Sequence, residues 1–273
     1  MRGQTDQLNA IVAQRIEVSP GLIVLRVVPD GWELPEFEAG QFAVLGLSGT
    51  APRHAVSDPE EERANPDKLI KRAYSIASSS VANEYVEFYI VMVRSGALTP
   101  RLFALSVGDR LLLSPKVSGL FTLADVPLDQ HVLLISTGTG LAPYMSMLRS
   151  HLICGEPRRF AVIHGARHSW DLGYRSELLT LKRMCPNFTY IATISRPEQE
   201  PAPWAGETGY IQDVWQRGVL EESSEFRATP EDTHVFLCGN PSMIVTMEKL
   251  LFELGFKEHK RTDPGTVHVE RYW

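Results

Sequence analysis

The segment KRAYSIASS at 71–79 puts a guanidinium (Arg72), a flat ring (Tyr74) and a hydroxyl (Ser75) within four residues. A guanidinium is a planar, permanent clamp for phosphate, and an aromatic ring gives a flat ligand a face to pack on. In a strand, alternation puts Arg72 and Tyr74 on one face and Ser75 on the other. Read alone, the same residues also describe a solvent-facing arginine beside a core tyrosine. Two glycine turns offer matching chemistry. STGTGLAP at 136–143 ends an apolar run and opens a helical pattern, so Gly138 and Gly140 allow close backbone approach and the helix start offers N–H groups to an anion. It reads GxGxxP, without a nearby acid for a ribose or a P-loop lysine, so a purely structural turn also fits. CGNPSM at 238–243 repeats the order of strand end, glycine and helix-starting proline. Cys238 is either a small buried residue or a side chain facing a cleft. The chain ends VERYW, and the rings of Tyr272 and Trp273 either pack on the protein body or cover a flat partner.

The elements that must position these groups follow two grammars. IVAQRIEVS (11–19), LIVLRVV (22–28), QFAVLGL (41–47), VEFYIVMV (86–93) and RLLLS (110–114) are short, β-branched, turn-bounded runs. They predict an antiparallel barrel over residues 8–126. Within it, APRHAVSDPEEERANPDK (51–68) is charged and proline-broken, and reads as a solvated loop, with a functional flap as the alternative. After Pro127 strands and helices alternate. HVLLIST (131–137), FAVIHGA (160–166), FTYIATIS (188–195) and THVFLCG (233–239) are strands, with helices at 142–153, 174–184, about 209–218 and 241–255. That alternation over 127–268 predicts an open parallel α/β sheet, which binds ligands beyond the carboxyl ends of its strands.

The chain has 273 residues and a formal charge of -6, which gives no support to nucleic-acid binding. Its three cysteines, Cys154, Cys185 and Cys238, are too few and too scattered for a cysteine-ligated iron–sulfur site, and no metal is expected. Their spacing fits a reducing compartment better than a disulfide framework. No stretch reads as a signal peptide or a membrane span, and a cytoplasmic location is expected.

Taken together with GALTPRL (96–102) and LPEFEAGQF (34–42), these motifs in this order resemble the ferredoxin–NADP+ reductase family, in its bacterial flavodoxin/ferredoxin reductase branch. The resemblance covers nearly the whole chain apart from 51–68. It implies an FAD-binding barrel domain, an NADP(H)-binding α/β domain, and a terminal segment, 269–273, that returns to the flavin. It assigns Arg72, Ala73, Tyr74 and Ser75 to the FAD site. Arg72 meets the pyrophosphate, Tyr74 packs against the flavin or its ribityl chain, and Ser75 stands near flavin N5. Gly96, Ala97, Leu98 and Thr99 supply backbone and hydroxyl donors to the pyrophosphate. Tyr272 and Trp273 share the flavin environment as a movable cover. Thr139 and Gly140 meet the pyrophosphate region of the nicotinamide nucleotide, with Thr139 also counted in the FAD site, and Cys238 stands close to the nicotinamide.

The same resemblance implies hydride transfer between NADP(H) and FAD, with Ser75, Cys238, Glu270 and Tyr272 around the reacting atoms, and one-electron exchange with a ferredoxin or flavodoxin. Ser195, Arg196 and Arg167 match the reading of the 2′-phosphate, with Tyr210 beside the adenosine. Thr208 replaces a family lysine, which leaves one cation fewer. An acidic carrier would dock transiently, by charge, on a basic rim to which Lys71, Lys260 and Arg261 are candidates, the chain acting as a monomer. Two other readings stay open: a flavoreductase feeding an oxygenase or free flavin, and a non-catalytic interaction module that keeps the fold.

Overall fold

The computed structural model describes residues 7–62, 64–66, 68–82, 84–224 and 226–271. Two compact units emerge. One runs to Thr122 and includes Ala142–Ser150; the other comprises Leu123–Leu141 and the chain from His151 onward.

The first unit holds strands β1 (Ala10–Ser19), β2 (Leu22–Pro29), β3 (Phe42–Ser48), β4 (Leu69–Ser75), β5 (Val86–Val91) and β6 (Arg110–Leu113). Their order is β4-β3-β6-β1-β2-β5, with every neighbouring pair antiparallel. The outer strands approach through an Ile76–Phe88 bridge and a 2.7 Å hydrogen bond from the Ala77 N–H to the Glu87 carbonyl, so the sheet curls into the expected barrel. Val12, Ile23, Leu25, Leu45, Ile76, Phe88 and Leu111 fill its interior. A short helix, α1 (Thr99–Phe103), buries Leu102 and Phe103 in the same core. Helix α2 (Ala142–His151) supplies Arg149, which meets the fully buried Glu87 at 2.7 Å, while Arg26 meets the other carboxylate oxygen at 2.6 Å. Pairing and hydrogen bonding make that burial tolerable for the carboxylate.

The second unit is a six-stranded parallel sheet: β7 (His131–Thr137), β8 (Phe160–Ala166), β9 (Phe188–Ile194), β10 (Glu207–Thr208), β11 (Thr233–Cys238) and β12 (Val267–Glu270), in the order β10-β9-β8-β7-β11-β12. Helices α3 (Arg175–Met184), α4 (Ile211–Gln216), α5 (Val219–Ser223) and α6 (Pro241–Glu253) complete the alternation. Central strands such as HVLLIST are buried along almost their whole length, which is why they read as continuous apolar runs. The strand order reverses between β7 and β11, and this switch point is where an open sheet offers a crevice to a ligand.

Four expectations need correction. The helix expected around 209–218 is α4, but a second, unexpected helix, α5, follows it directly, because Gly218 takes a left-handed φ of 72° and starts a new turn. No strand is expected near the end of the chain, whereas Val267–Glu270 forms edge strand β12. The 51–68 stretch is not simply solvated: Arg53 and Glu60 form a half-buried ion pair at 3.1 Å, and the His54 N–H donates to the Pro100 carbonyl at 2.9 Å. Finally, Cys154 and Cys185 are joined as a disulfide with a Cα–Cα separation of 4.5 Å, against the reading of three unpaired thiols. The turn after α2 and the turn after α3 converge there, a proximity that sequence spacing does not reveal.

Candidate functional site

In the barrel unit, β4 pairs with β3 in unbroken register from Ser48–Leu69 to Phe42–Ser75. No bulge disturbs the alternation expected of KRAYS. Arg72 and Ala73 are exposed, Tyr74 is half-buried and Ser75 is buried. The Arg72 guanidinium donates to the Lys71 carbonyl at 2.7 Å and has no acidic partner among the described residues, so its charge is available to an anion. Tyr74 packs edge-on to Phe88 with ring centroids 6.5 Å apart, and burial raises its phenol pKa. The ring is therefore a neutral platform at any ordinary pH.

The Gly96 turn lies in the same unit. Its N–H donates to the Val93 carbonyl at 2.8 Å. The Thr99 hydroxyl also donates to that carbonyl and accepts the Val93 N–H, each at 3.1 Å. The hydroxyl thus closes the turn, and backbone groups remain the donors. The N–H groups of Ala97 and Leu98 find no acceptor among the described residues, so both donors are open to an anion.

In the parallel-sheet unit, the two glycine turns flank the switch point and touch. A Cβ on Gly140 would lie 2.4 Å from the Cys238 carbonyl oxygen, and one on Gly239 would lie 2.4 Å from the Thr137 hydroxyl. Only glycine permits that approach, and Gly239 also needs its φ of 132°. Thr137 accepts the Asn240 N–H at 2.7 Å, while Asn240 caps α6 by accepting from Ser242 and Met243. Thr139 is half-buried at the rim. Cys238 is fully buried and pairs in register with Ser136 on one side and Glu270 on the other. Ser136 in turn pairs with His164. Residues paired across parallel strands share a face, so these four side chains form one row at the carboxyl edge of the sheet.

Sequence reasoning missed Ser136 and His164, whose only signal was a polar residue inside an apolar run. The Ser136 hydroxyl and His164 Nε2 are buried without a partner among the described residues. His164 Nδ1 meets the Tyr190 hydroxyl at 3.2 Å, and full burial pushes the imidazole down to about 3. It is neutral at physiological pH.

Beyond the sheet edge, the backbone ladder continues past β8 and β9. The Ser195 N–H donates to the Ala166 carbonyl and the Arg196 N–H to the Arg167 carbonyl, both at 3.0 Å. Two exposed guanidiniums are thereby held on adjacent strands, and neither has an acidic partner among the described residues. Tyr210 is 64% exposed at the start of α4, its N–H bound to Asp213 at 2.9 Å. Where the family lysine is replaced, Arg217 donates to the Thr208 carbonyl at 2.9 Å, but Glu207 neutralises it at 3.1 Å. Lys71 is exposed, whereas Lys260 is paired with Glu258 at 3.0 Å and contributes less net charge to any docking rim than an unpaired lysine. Arg261 is exposed. Tyr272 and Trp273 lie outside the described residues. Arg271, just before them, is tied to Glu248 of α6 at 2.6 Å.

Comparison with known proteins gives a consistent picture. Residues 134–249 match the family model described as oxidoreductase NAD-binding domain. The chain is 33% identical to the flavodoxin/ferredoxin–NADP reductase of Escherichia coli strain K12 over 239 residues, which covers 87% of this chain and 88% of the relative. It is 30% identical to the ferredoxin–NADP reductase of Azotobacter vinelandii, with 86% of each covered. Among solved structures, a ferredoxin NADP+ reductase from Neisseria gonorrhoeae with bound FAD and NADP shares the fold, at a TM-score of 0.80 and 22% identity over 98% of this chain and 99% of that one.

Proposed function

The chain belongs to the flavodoxin/ferredoxin–NADP reductase family, and on that premise we propose that it exchanges electrons between NADP(H) and a one-electron protein carrier through bound FAD. The observation that supports the reading is the switch point, where two glycine turns pack backbone to backbone beside the Ser136–Cys238–Glu270 row at the carboxyl edge of the sheet. When bound, FAD supplies the two-electron-to-one-electron conversion that a nicotinamide nucleotide and an iron–sulfur or flavodoxin carrier require.

This chain's own residues bind, orient and exclude water. Arg72 and the Ala97 and Leu98 N–H groups would hold the flavin pyrophosphate, and the neutral Tyr74 ring would offer the flavin a flat face. Ser75 orients the reacting edge. Gly140 and Thr139 admit the nicotinamide nucleotide. Cys238 offers a polarizable wall, not a nucleophile, since hydride transfer needs no covalent sulfur step. Glu270 stabilises charge or manages a proton from the neighbouring strand. Tyr272 and Trp273, which lie outside the described residues, would supply the aromatic cover for the flavin that the resemblance implies. Arg167, Ser195 and Arg196 read the 2′-phosphate, with Tyr210 beside the adenosine. The carrier is an acidic ferredoxin or flavodoxin that docks transiently, and the chain works as a monomer.

The test is an anaerobic titration of the FAD-loaded protein with NADPH and then NADH, followed through the flavin absorbance band. Reoxidation by ferredoxin, flavodoxin or free FMN comes next. Bleaching at low NADPH and rapid reoxidation by a protein carrier support the proposal. A protein that takes up no flavin, or a flavin that neither nucleotide bleaches, refutes it; preferential reoxidation by free FMN makes the chain a flavoreductase instead.

A further inference from the structure

The segment after β3 is where the sequence has least to say and the structure most. Arg101 on α1 is 2% exposed, an unusual place for a guanidinium. Its Nη1 reaches Glu60 at 2.8 Å and the Ala97 carbonyl at 2.6 Å, and its Nη2 reaches the Gly49 carbonyl and the second Glu60 oxygen. Arg53 takes the same carboxylate at 3.1 Å. It also donates to three carbonyls: Gly96 at 3.0 Å, Asp58 at 2.8 Å and Arg94 at 3.2 Å. Asp58 returns the contact through its N–H to the Arg94 carbonyl, at 3.0 Å, and through a 3.1 Å ion pair with the Arg94 side chain. The hydrogen bond from Arg101 holds the Glu60 carboxyl below the usual carboxylate range, so the centre of the network stays ionised at neutral pH.

The consequence follows from peptide geometry. In a trans peptide the carbonyl of one residue and the N–H of the next point in opposite directions. Arg53 holds the Gly96 carbonyl and Arg101 holds the Ala97 carbonyl, so the Ala97 and Leu98 N–H groups are turned away from the guanidiniums. These are the two donors left without an acceptor among the described residues. The cations that fix the carbonyls also add positive potential behind the donors.

We propose that Arg53, Glu60 and Arg101 form a clasp that positions the Gly96–Leu98 turn to grip the flavin pyrophosphate, which makes the 51–62 segment a device for retaining FAD. The inference rests on the flavin reading above. Arg53, Glu60 and Arg101 are positioning residues, acting through the Gly96 and Ala97 carbonyls. Without the clasp, the turn would have to pay its ordering entropy when the flavin binds.

The test uses the full chain, stripped of flavin and titrated with FAD by fluorescence. The variants are Glu60→Gln and Arg53→Ala, the conservative Arg53→Lys, and Val12→Ala as a control that opens a cavity in the barrel core without touching the clasp. Loss of a charge-assisted hydrogen bond predicts FAD binding weakened by about tenfold or more in Glu60→Gln and Arg53→Ala, partly restored in Arg53→Lys. The flavin-saturated variants should bleach with NADPH at the unmodified rate. Glu60→Gln keeps size and shape, so it carries the test if Arg53→Ala does not fold. Unchanged FAD affinity overturns the proposal. So does a loss no greater than that of Val12→Ala, which would mark a merely structural role. If the unmodified chain itself binds no FAD, the flavin reading fails; if it binds and the variants bind equally, only the clasp does.

Discussion

Replacing Arg196 by alanine removes one of two exposed guanidiniums carried on backbone joined just past the ends of β8 and β9, and the size of the effect can be worked from their surroundings. Both are exposed, and neither has an acidic partner among the described residues. Their attraction for a phosphate is therefore screened by water, near the high-dielectric limit of about 1 kcal/mol per pair of unit charges at contact. A 2′-phosphate carries about 1.5 to 2 negative charges, like other phosphate monoesters, so losing Arg196 should cost about 1.5–2 kcal/mol. That corresponds to a rise of about 10- to 30-fold in the NADPH dissociation constant. NADH lacks the phosphate and should bind as before. Arg167→Ala should act in the same direction, and the fold itself is spared because neither side chain is part of a core. The assay is flavin bleaching against NADPH and NADH in parallel, at low and high salt. In 1 M salt the Debye length shrinks to about 3 Å, so much of the preference should vanish in the unmodified protein as well. If Arg196→Ala weakens both nucleotides equally, the arginine supports the turn or the adenosine, and the phosphate-reading argument is wrong.

Three further outcomes follow from packing and burial. Gly140→Ala forces a Cβ to 2.4 Å from the Cys238 carbonyl, and because the obstacle is backbone the two turns must separate. We expect about 1–3 kcal/mol of destabilisation by urea unfolding and weaker NADPH binding, and a neutral result in both would show that the turns are not in contact. The Cys154–Cys185 disulfide closes a loop with a sequence separation of 31. Chain entropy then makes it worth about 3–4 kcal/mol, which Cys185→Ser or reductant should remove, and thiol counting on the unfolded, unreduced protein reads its presence directly. Burial pushes His164 and His268 down to about 3 and His234 to about 4. The folded form then binds fewer protons than the unfolded one, where histidine titrates near 6.5. Stability is full above that pH and falls as pH drops towards the folded values, by about 2 kcal/mol per histidine at pH 5. A urea midpoint that is flat between pH 6.5 and 5, above the carboxylate range, contradicts these burials.

The legibility of the chain was uneven for identifiable reasons. Strands β7, β8 and β9 and helix α6 were plain because sheets buried on both faces and long amphipathic helices write their period into many residues. β12 was hidden because four residues cannot show a period, and its identity depends on an edge of β11 that lies far away in sequence. The same limit concealed the Cys154–Cys185 contact. Site residues with a local signature, such as Arg72, Tyr74 and the glycine turns, were visible one by one. Their grouping was not, because the Ser136–Cys238–Glu270 row is created by register between strands.

The 51–68 segment shows the limit most clearly. Composition alone describes it as solvated, since charge and proline normally keep a chain in water. That inference assumes each charge lacks a better partner. Here Arg101, buried on α1, and the carbonyls of the Gly96 turn supply such partners, and a single carboxylate, Glu60, serves two guanidiniums. A charged run can therefore be structural when the rest of the fold presents buried complementary groups, and a list of residue types contains no record of that complementarity. The physical test is whether neutralising Glu60 disturbs the flavin's pyrophosphate grip more than an equally destabilising cavity does. A clasp acts on the orientation of two peptide planes, whereas a cavity acts on the whole barrel.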